Sequence, residues 1–171
     1  MKKFTGQIRF ISQLDLPATK QVLAAWLTSD EVAHYFEFIE NSLNRTTESL
    51  AFDSNYLVAE TVDREVVGVL GYRKPITKML KFATTKNPAE LNMLYVLPEK
   101  RGGQGVGTAL VTEMEKILKR NKYTEVLVRS AKRFKKTAWG FYDQLPGFQR
   151  ISVLQETDNS EPAQIWQKII N

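Results

Sequence analysis

Apolar positions along the 171-residue chain change period several times, and each period predicts an element. Residues 7–12, QIRFIS, alternate as a half-buried strand does. Asp15 and Pro17 then mark a helix start, followed by Val22, Leu23, Trp26 and Leu27 at helical spacing. Ser29 is placed to cap a second helix, with Val32, Tyr35, Phe36 and Ile39 along one face. Residues 40–49, ENSLNRTTES, are polar and predict a loop with a fragment of helix. Two β-branched runs, 55–62 and 65–74, flank Asp63-Arg64 and predict a hairpin. Residues 75–88 have no clean period and predict a loop or irregular insertion. A strand over 89–98 stops at Pro98. From Val106 to Arg120 the set Val106, Ala109, Leu110, Met114, Ile117 and Leu118 forms a helical stripe. A strand over 125–130, a helix over 133–145 with Phe134, Ala138, Phe141 and Leu145 inward, and strands over 147–156 and 163–170 complete the chain. The order is strand, two helices, three strands, helix, strand, helix, two strands, which predicts one mixed α/β domain over 1–171.

Composition narrows the function classes. The chain has no cysteine, which excludes a disulfide framework, a thiolate metal site and a cysteine nucleophile. The start, MKKFTGQIRFISQLDLP, carries two lysines but no apolar run, so no signal peptide is expected and a cytoplasmic location is. No stretch approaches the length of a membrane span. The formal charge of +5 suits an anionic partner such as a phosphorylated small molecule. A nucleic-acid or anionic-surface binder is disfavoured, because the lysines are scattered and no recognition-helix pattern stands out.

Residues 100–110, KRGGQGVGTAL, set Gly102, Gly103, Gly105 and Gly107 between a strand and a helix. A helix start presents N–H groups without intrahelical partners and the positive end of the macrodipole. Glycines let the loop take positive φ and let a ligand approach the backbone. Together these features suit phosphate oxygens. The run lacks the lysine of a P-loop, and its G-x-G-x-G spacing misses the dinucleotide fingerprint.

LYVLPEKRGGQGVGTAL resembles the acetyl-CoA-binding motif of the GNAT superfamily of N-acetyltransferases, an apolar strand and turn followed by [Q/R]-x-x-G-x-[G/A] opening a helix. Gln104-Gly105-Val106-Gly107 fits its end, with one glycine inserted after Arg101. AWGFYDQLPGF (138–148) is similar to the family's later A-x-x-F-Y-x-x-x-G-F signature through Ala138, Phe141, Tyr142 and Gly147-Phe148, with Pro146 as an extra residue. Lys135 stands where many members carry asparagine. The resemblance spans nearly the whole chain. It implies a GNAT-like, mainly antiparallel twisted sheet of about six to seven strands flanked by helices.

The implied activity is acetyl transfer from acetyl-CoA to a primary amine, with no metal. The amine must lose a proton, the oxyanion must be stabilised and the thiolate must leave. The resemblance assigns Tyr142 as the acid that protonates the thiolate and Glu90 as the base, acting through ordered water. A strand-edge Glu90 that only faces solvent is the alternative. Backbone groups of Leu94, Tyr95 and Val96 are implied to hold the acetyl carbonyl and pantetheine arm. Arg101, Gly102, Gly103, Gln104, Gly105, Val106, Gly107 and Thr108 are implied to hold the phosphates, with Lys135 as a further point charge. The lone His34 has no expected role, and the rings near it, with Trp26, form core or acceptor-site wall. Expected partners are acetyl-CoA and a small-molecule or peptide amine; the family's C-terminal strands also allow a homodimer. A non-catalytic acyl-CoA-binding module of the same fold is the competing function.

Overall fold

The computed structural model describes residues 3–155 and 161–170. It contains β1 (Gln7–Phe10), α1 (Leu16–Ala24), α2 (Ser29–Leu43), α3 (Thr47–Ala51), β2 (Asn55–Glu60) and β3 (Val66–Arg73). These are followed by α4 (Thr77–Leu80), β4 (Pro88–Val96), α5 (Val106–Arg120), β5 (Glu125–Ala131), α6 (Gly140–Gln144), β6 (Gln149–Leu154) and β7 (Ala163–Ile169). The strands form one seven-stranded, mostly antiparallel sheet in the order β1-β2-β3-β4-β5-β7-β6, flanked by helices. The parallel pair is β4 with β5, joined over Pro88–Leu91 opposite Glu125–Val128. This is the sheet that the family resemblance implies, and it agrees with the mixed α/β class that the sequence pattern predicts. The predicted strand end at Glu156 lies outside the described residues.

The described residues fall into two compact units, and β4 runs through both. One holds the residues up to Arg73 with Met93–Ile117; the other holds Lys74–Asn92 with the residues from Leu118 onward.

In the first unit the hairpin β2–β3 is the centre. Leu57, Val58, Ala59, Val67, Val69 and Leu70 are all almost wholly buried. A strand pair with both faces covered reads as a continuous apolar run rather than an alternation, as these do. Val22 and Leu23 of α1, Val32 and Ile39 of α2, and Val106, Leu110 and Met114 of α5 are buried too. Gly68 brings β3 close to α5: a Cβ there would lie 3.2 Å from both Leu110 and Val106 side chains. The cap of α2 is Thr28, not Ser29. The Thr28 backbone N–H donates to the Glu31 carboxylate at 3.0 Å and Glu31 N–H donates to Thr28 Oγ1 at 3.4 Å, a reciprocal pair that outcompetes the next hydroxyl. The polar stretch 40–49 is more helical than predicted, because α2 continues to Leu43 and α3 starts at Thr47.

In the second unit the predicted insertion 75–88 is ordered around buried anchors. Met79 of α4 packs with Leu127, Leu154 and Ile165, with Ile76, Phe82 and Ala83 against them. Glu125, fully buried, accepts the Thr84 and Thr85 backbone N–H groups at 3.0 and 2.9 Å and the Thr85 hydroxyl at 2.9 Å. A four-residue helix and a loop held by two buried carboxylates, Glu90 and Glu125, leave no period to read.

The predicted helix 133–145 is three pieces: a 3-10 turn over Lys132–Phe134, a π turn over Lys135–Trp139, then α6. A π turn adds a residue to the turn and rotates the following face. Tyr142, Leu145 and Phe148 are therefore the buried positions, while Phe134, Ala138 and Phe141 are half-buried.

Candidate active site

The loop before α5 has the geometry its composition suggests. Gly102, Gly103 and Gly105 take φ of 72°, 102° and 74°. That left-handed region strains any residue with a Cβ. At Gly102 and Gly103 an added Cβ would meet nothing within 4 Å, so conformation rather than crowding demands glycine. The loop's main chain is open on that side and can accept a ligand's oxygens, which is the fit that a pyrophosphate requires. Gly105 O accepts Ala109 N–H at 2.9 Å as α5 begins. Val106 is buried, Gly107 and Thr108 are half-buried, and the exposed Gln104 side chain donates to Glu99 O at 3.2 Å.

Leu94, Tyr95 and Val96 lie half-buried at the end of β4. The Tyr95 ring meets Tyr35 of α2 edge-on at 6.1 Å. Val96 O accepts the Trp26 indole N–H at 2.8 Å. The Arg101 guanidinium sits 4.7 Å from the centre of the Trp26 ring. Trp26 is thus half-buried and hydrogen-bonded rather than core filler. His34 is exposed on α2, its ring 4.7 Å from Phe38.

In the second unit Tyr142 of α6 is 6% exposed, and burial raises its phenol above the ordinary value of 10.0. The hydroxyl is therefore protonated at neutral pH, as a proton donor must be. Its ring rests against Trp166 at 5.1 Å and Phe141 at 5.4 Å. Trp166, wholly buried on β7, donates its indole N–H to Asp143 at 3.0 Å. Arg150 grips the same carboxylate with two nitrogens and lies 5.3 and 5.6 Å over Trp139 and Trp166. The Arg150 bond, then that of Trp166, holds Asp143 below the usual carboxylate range. Sequence reasoning missed Trp166, Asp143 and Arg150, because their meeting is a tertiary event across α6, β6 and β7.

Glu90 is 2% exposed, which overturns the alternative of a solvent-facing strand-edge glutamate. Its carboxylate accepts the Ile76 backbone N–H at 3.2 Å, a partner that the irregular segment 75–88 supplies. Lys135 is exposed in the π turn, its ammonium 5.7 Å from the Trp139 ring. The structure brings the loop residues 101–108 together with the end of β4 in the first unit, and places Glu90, Lys135 and Tyr142 in the second. Among the described residues, no cluster of three or more His, Asp or Glu side chains is arranged to hold a metal ion. No helix among them is long and apolar enough to cross a membrane.

Comparison with solved structures returns the same architecture. A protein assigned to the GNAT family from Desulfovibrio desulfuricans superposes with a TM-score of 0.77 at 18% identity, covering 96% of this chain and 99% of that one. The PaiA N-acetyltransferase from Thermoplasma acidophilum, solved with coenzyme A, gives 0.65 at 22% identity over 97% and 99% of the two chains. A ribosomal-protein-alanine N-acetyltransferase from Brucella melitensis gives 0.67 at 22% identity over 95% and 99%. No curated protein is significantly similar in sequence. The sequence model of the acetyltransferase (GNAT) family matches residues 19–148, from the first helix through Phe148. With both motifs inside that match and the fold in agreement, the chain belongs to the GNAT acetyltransferase family.

Proposed function

We propose that residues 1–171 act as one domain, an N-acetyltransferase that moves an acetyl group directly from acetyl-CoA to a primary amine. The observation that carries this reading is the run of left-handed glycines, Gly102, Gly103 and Gly105, opening onto the start of α5. A helix start with bare backbone in front of it suits a pyrophosphate. The PaiA relative was solved with coenzyme A, which supports the same donor here.

Acetyl-CoA is a substrate and supplies an activated thioester. The backbone N–H groups from Arg101 to Thr108 bind its phosphates, with the Thr108 hydroxyl and the Lys135 charge as additions. Backbone groups of Leu94, Tyr95 and Val96 orient the arm and the acetyl carbonyl, and Val96 O also accepts the Trp26 indole N–H. Tyr142 gives its proton to the leaving sulfur; burial keeps the resting phenol protonated, and the transfer is driven by the charge that develops on the thiolate. Glu90, buried and accepting the Ile76 N–H, takes the amine's proton through water. The Brucella relative is named for an alanine of a ribosomal protein, which favours a peptide N-terminus among the amines to screen.

A thermal-shift titration with acetyl-CoA tests the donor, with NAD and adenosine 3′,5′-bisphosphate as controls. At 100 times its Kd a ligand of the folded state adds about 2.7 kcal/mol. A saturable rise specific to acetyl-CoA supports the reading, and an unmoved melting curve at millimolar acetyl-CoA refutes it.

A further inference from the structure

A buried oxygen on β4, Asn92 Oδ1, is left without a hydrogen-bond partner. Such an atom carries its desolvation cost uncompensated, and in a native fold it calls for a reason. Its place in the sheet supplies one. The parallel ladder pairs Pro88–Leu91 of β4 with Glu125–Val128 of β5, and Asn92 is the next residue of β4. Side chains alternate along a strand, so Asn92 shares a face with Glu90, while Ala89 and Leu91 are buried on the other. Two residues span about 6.6 Å of strand, a separation that a nitrogen and one bridging water can fill between two side chains.

From this we infer that Asn92 binds the acceptor substrate: its Oδ1 accepts an N–H of the incoming amine and holds that nitrogen beside Glu90. The inference rests on the acetyl-transfer reading above, in which Glu90 takes the amine's proton. The thioester and the acetyl carbonyl bring lone pairs but no donor, so of the reacting groups only the amine satisfies an acceptor. An ammonium that has given one proton to Glu90 through water keeps two N–H groups and a lone pair. Oδ1 takes one N–H, and the lone pair remains for the acetyl carbon. An alcohol that has lost its proton has no hydrogen left to give, so the same oxygen selects amines over alcohols. Asn92 is half-buried and the terminal torsion of an asparagine is soft, so Oδ1 can turn to a ligand without moving the strand. It breaks no hydrogen bond in doing so.

The test is calorimetric titration with two compounds: coenzyme A joined through an acetyl bridge to the amine of alaninamide, and the same molecule with an ester oxygen in place of that N–H. Wild type, N92A, N92L and N92D are compared, with acetyl-CoA as the reference ligand. The wild type should bind the N–H compound about 10-fold or more tighter than the ester, which sets a second acceptor against Oδ1. N92A and N92L should lose that preference, and N92D, which keeps an oxygen there, should retain it. Acetyl-CoA should bind all four forms alike. Equal affinities for the two compounds in the wild type overturn the inference, as does a folded N92A that keeps the preference. A loss of acetyl-CoA affinity in N92L, with both compounds weakened alike, gives Oδ1 to the donor's arm and overturns it too. If N92L does not fold, N92A carries the comparison. A wild type that binds neither acetyl-CoA nor either compound brings down the donor reading and this inference with it. One that binds acetyl-CoA and shows no preference brings down this inference alone.

Discussion

Acidification should release a specific and calculable part of the stability through Asp15. Its two carboxylate oxygens accept from two Arg9 nitrogens, both at 2.7 Å, and one of them also accepts the Ser12 backbone N–H at 2.7 Å and hydroxyl at 2.8 Å. Glu60 accepts from Arg9 Nε and Nη2, and Phe10 O accepts from Nη1 at 3.3 Å, so the guanidinium ties β1 and β2 to the start of α1. The Asp15 side chain is only 7% exposed and that of Arg9 27%, so solvent screens the pair incompletely. The Arg9 bond, aided by Ser12, lowers Asp15 from 3.8 to about 2. A carboxyl more acidic in the folded than in the unfolded chain stabilises the fold above its unfolded value. That contribution is complete above about pH 5 and is lost as pH falls through 3.8 toward 2. At about 1.4 kcal/mol per pH unit the gap corresponds to about 2.5 kcal/mol. The assay is urea unfolding of the wild type and Asp15→Asn across that range, since the asparagine cannot titrate. The variant should be clearly less stable at neutral pH, and its deficit should shrink by about 2 kcal/mol on reaching about pH 2, with the remainder lost only below the folded value. A deficit that stays constant from about pH 5 to about pH 2 refutes the reasoning, because the carboxylate would then titrate alike in both states.

Two substitutions test the second unit. Tyr142→Phe keeps the ring against Trp166 and removes the proton donor, so kcat should fall by about 100-fold or more while acetyl-CoA affinity holds. An unchanged kcat, measured against whichever amine proves active, removes Tyr142 from the chemistry and favours a binding module. Glu125→Ala removes from a wholly buried position the acceptor of the Thr84 and Thr85 N–H groups and of the Gln167 amide. Its unfolding free energy in urea should drop by about 3 kcal/mol or more, and a loss under about 1 kcal/mol would mean that water replaces the carboxylate.

The sequence by itself determined the parts of this protein that rest on neighbours along the chain. Alternation and helical stripes placed β1, the β2–β3 hairpin, α5 and the C-terminal strands, because a period of 2 or 3.6 is a local property. The glycine run declared its own conformation, since Gly102, Gly103 and Gly105 occupy the left-handed region that other residues avoid. The tertiary structure decided what depends on distant residues meeting. Ordering of 75–88 waits on Glu125 and on the pocket that takes Met79, neither of which leaves a period in the segment. Buried Glu90 meets a donor from a loop fourteen residues earlier. The π turn before α6 turns Tyr142 inward and Phe141 partly outward, where a uniform helix would present the reverse. Trp26 reads as one more aromatic on an apolar helix face until Val96 and Arg101 fold around it. Periodicity records which face of an element is covered; only the packed chain settles which atom on that face finds a partner.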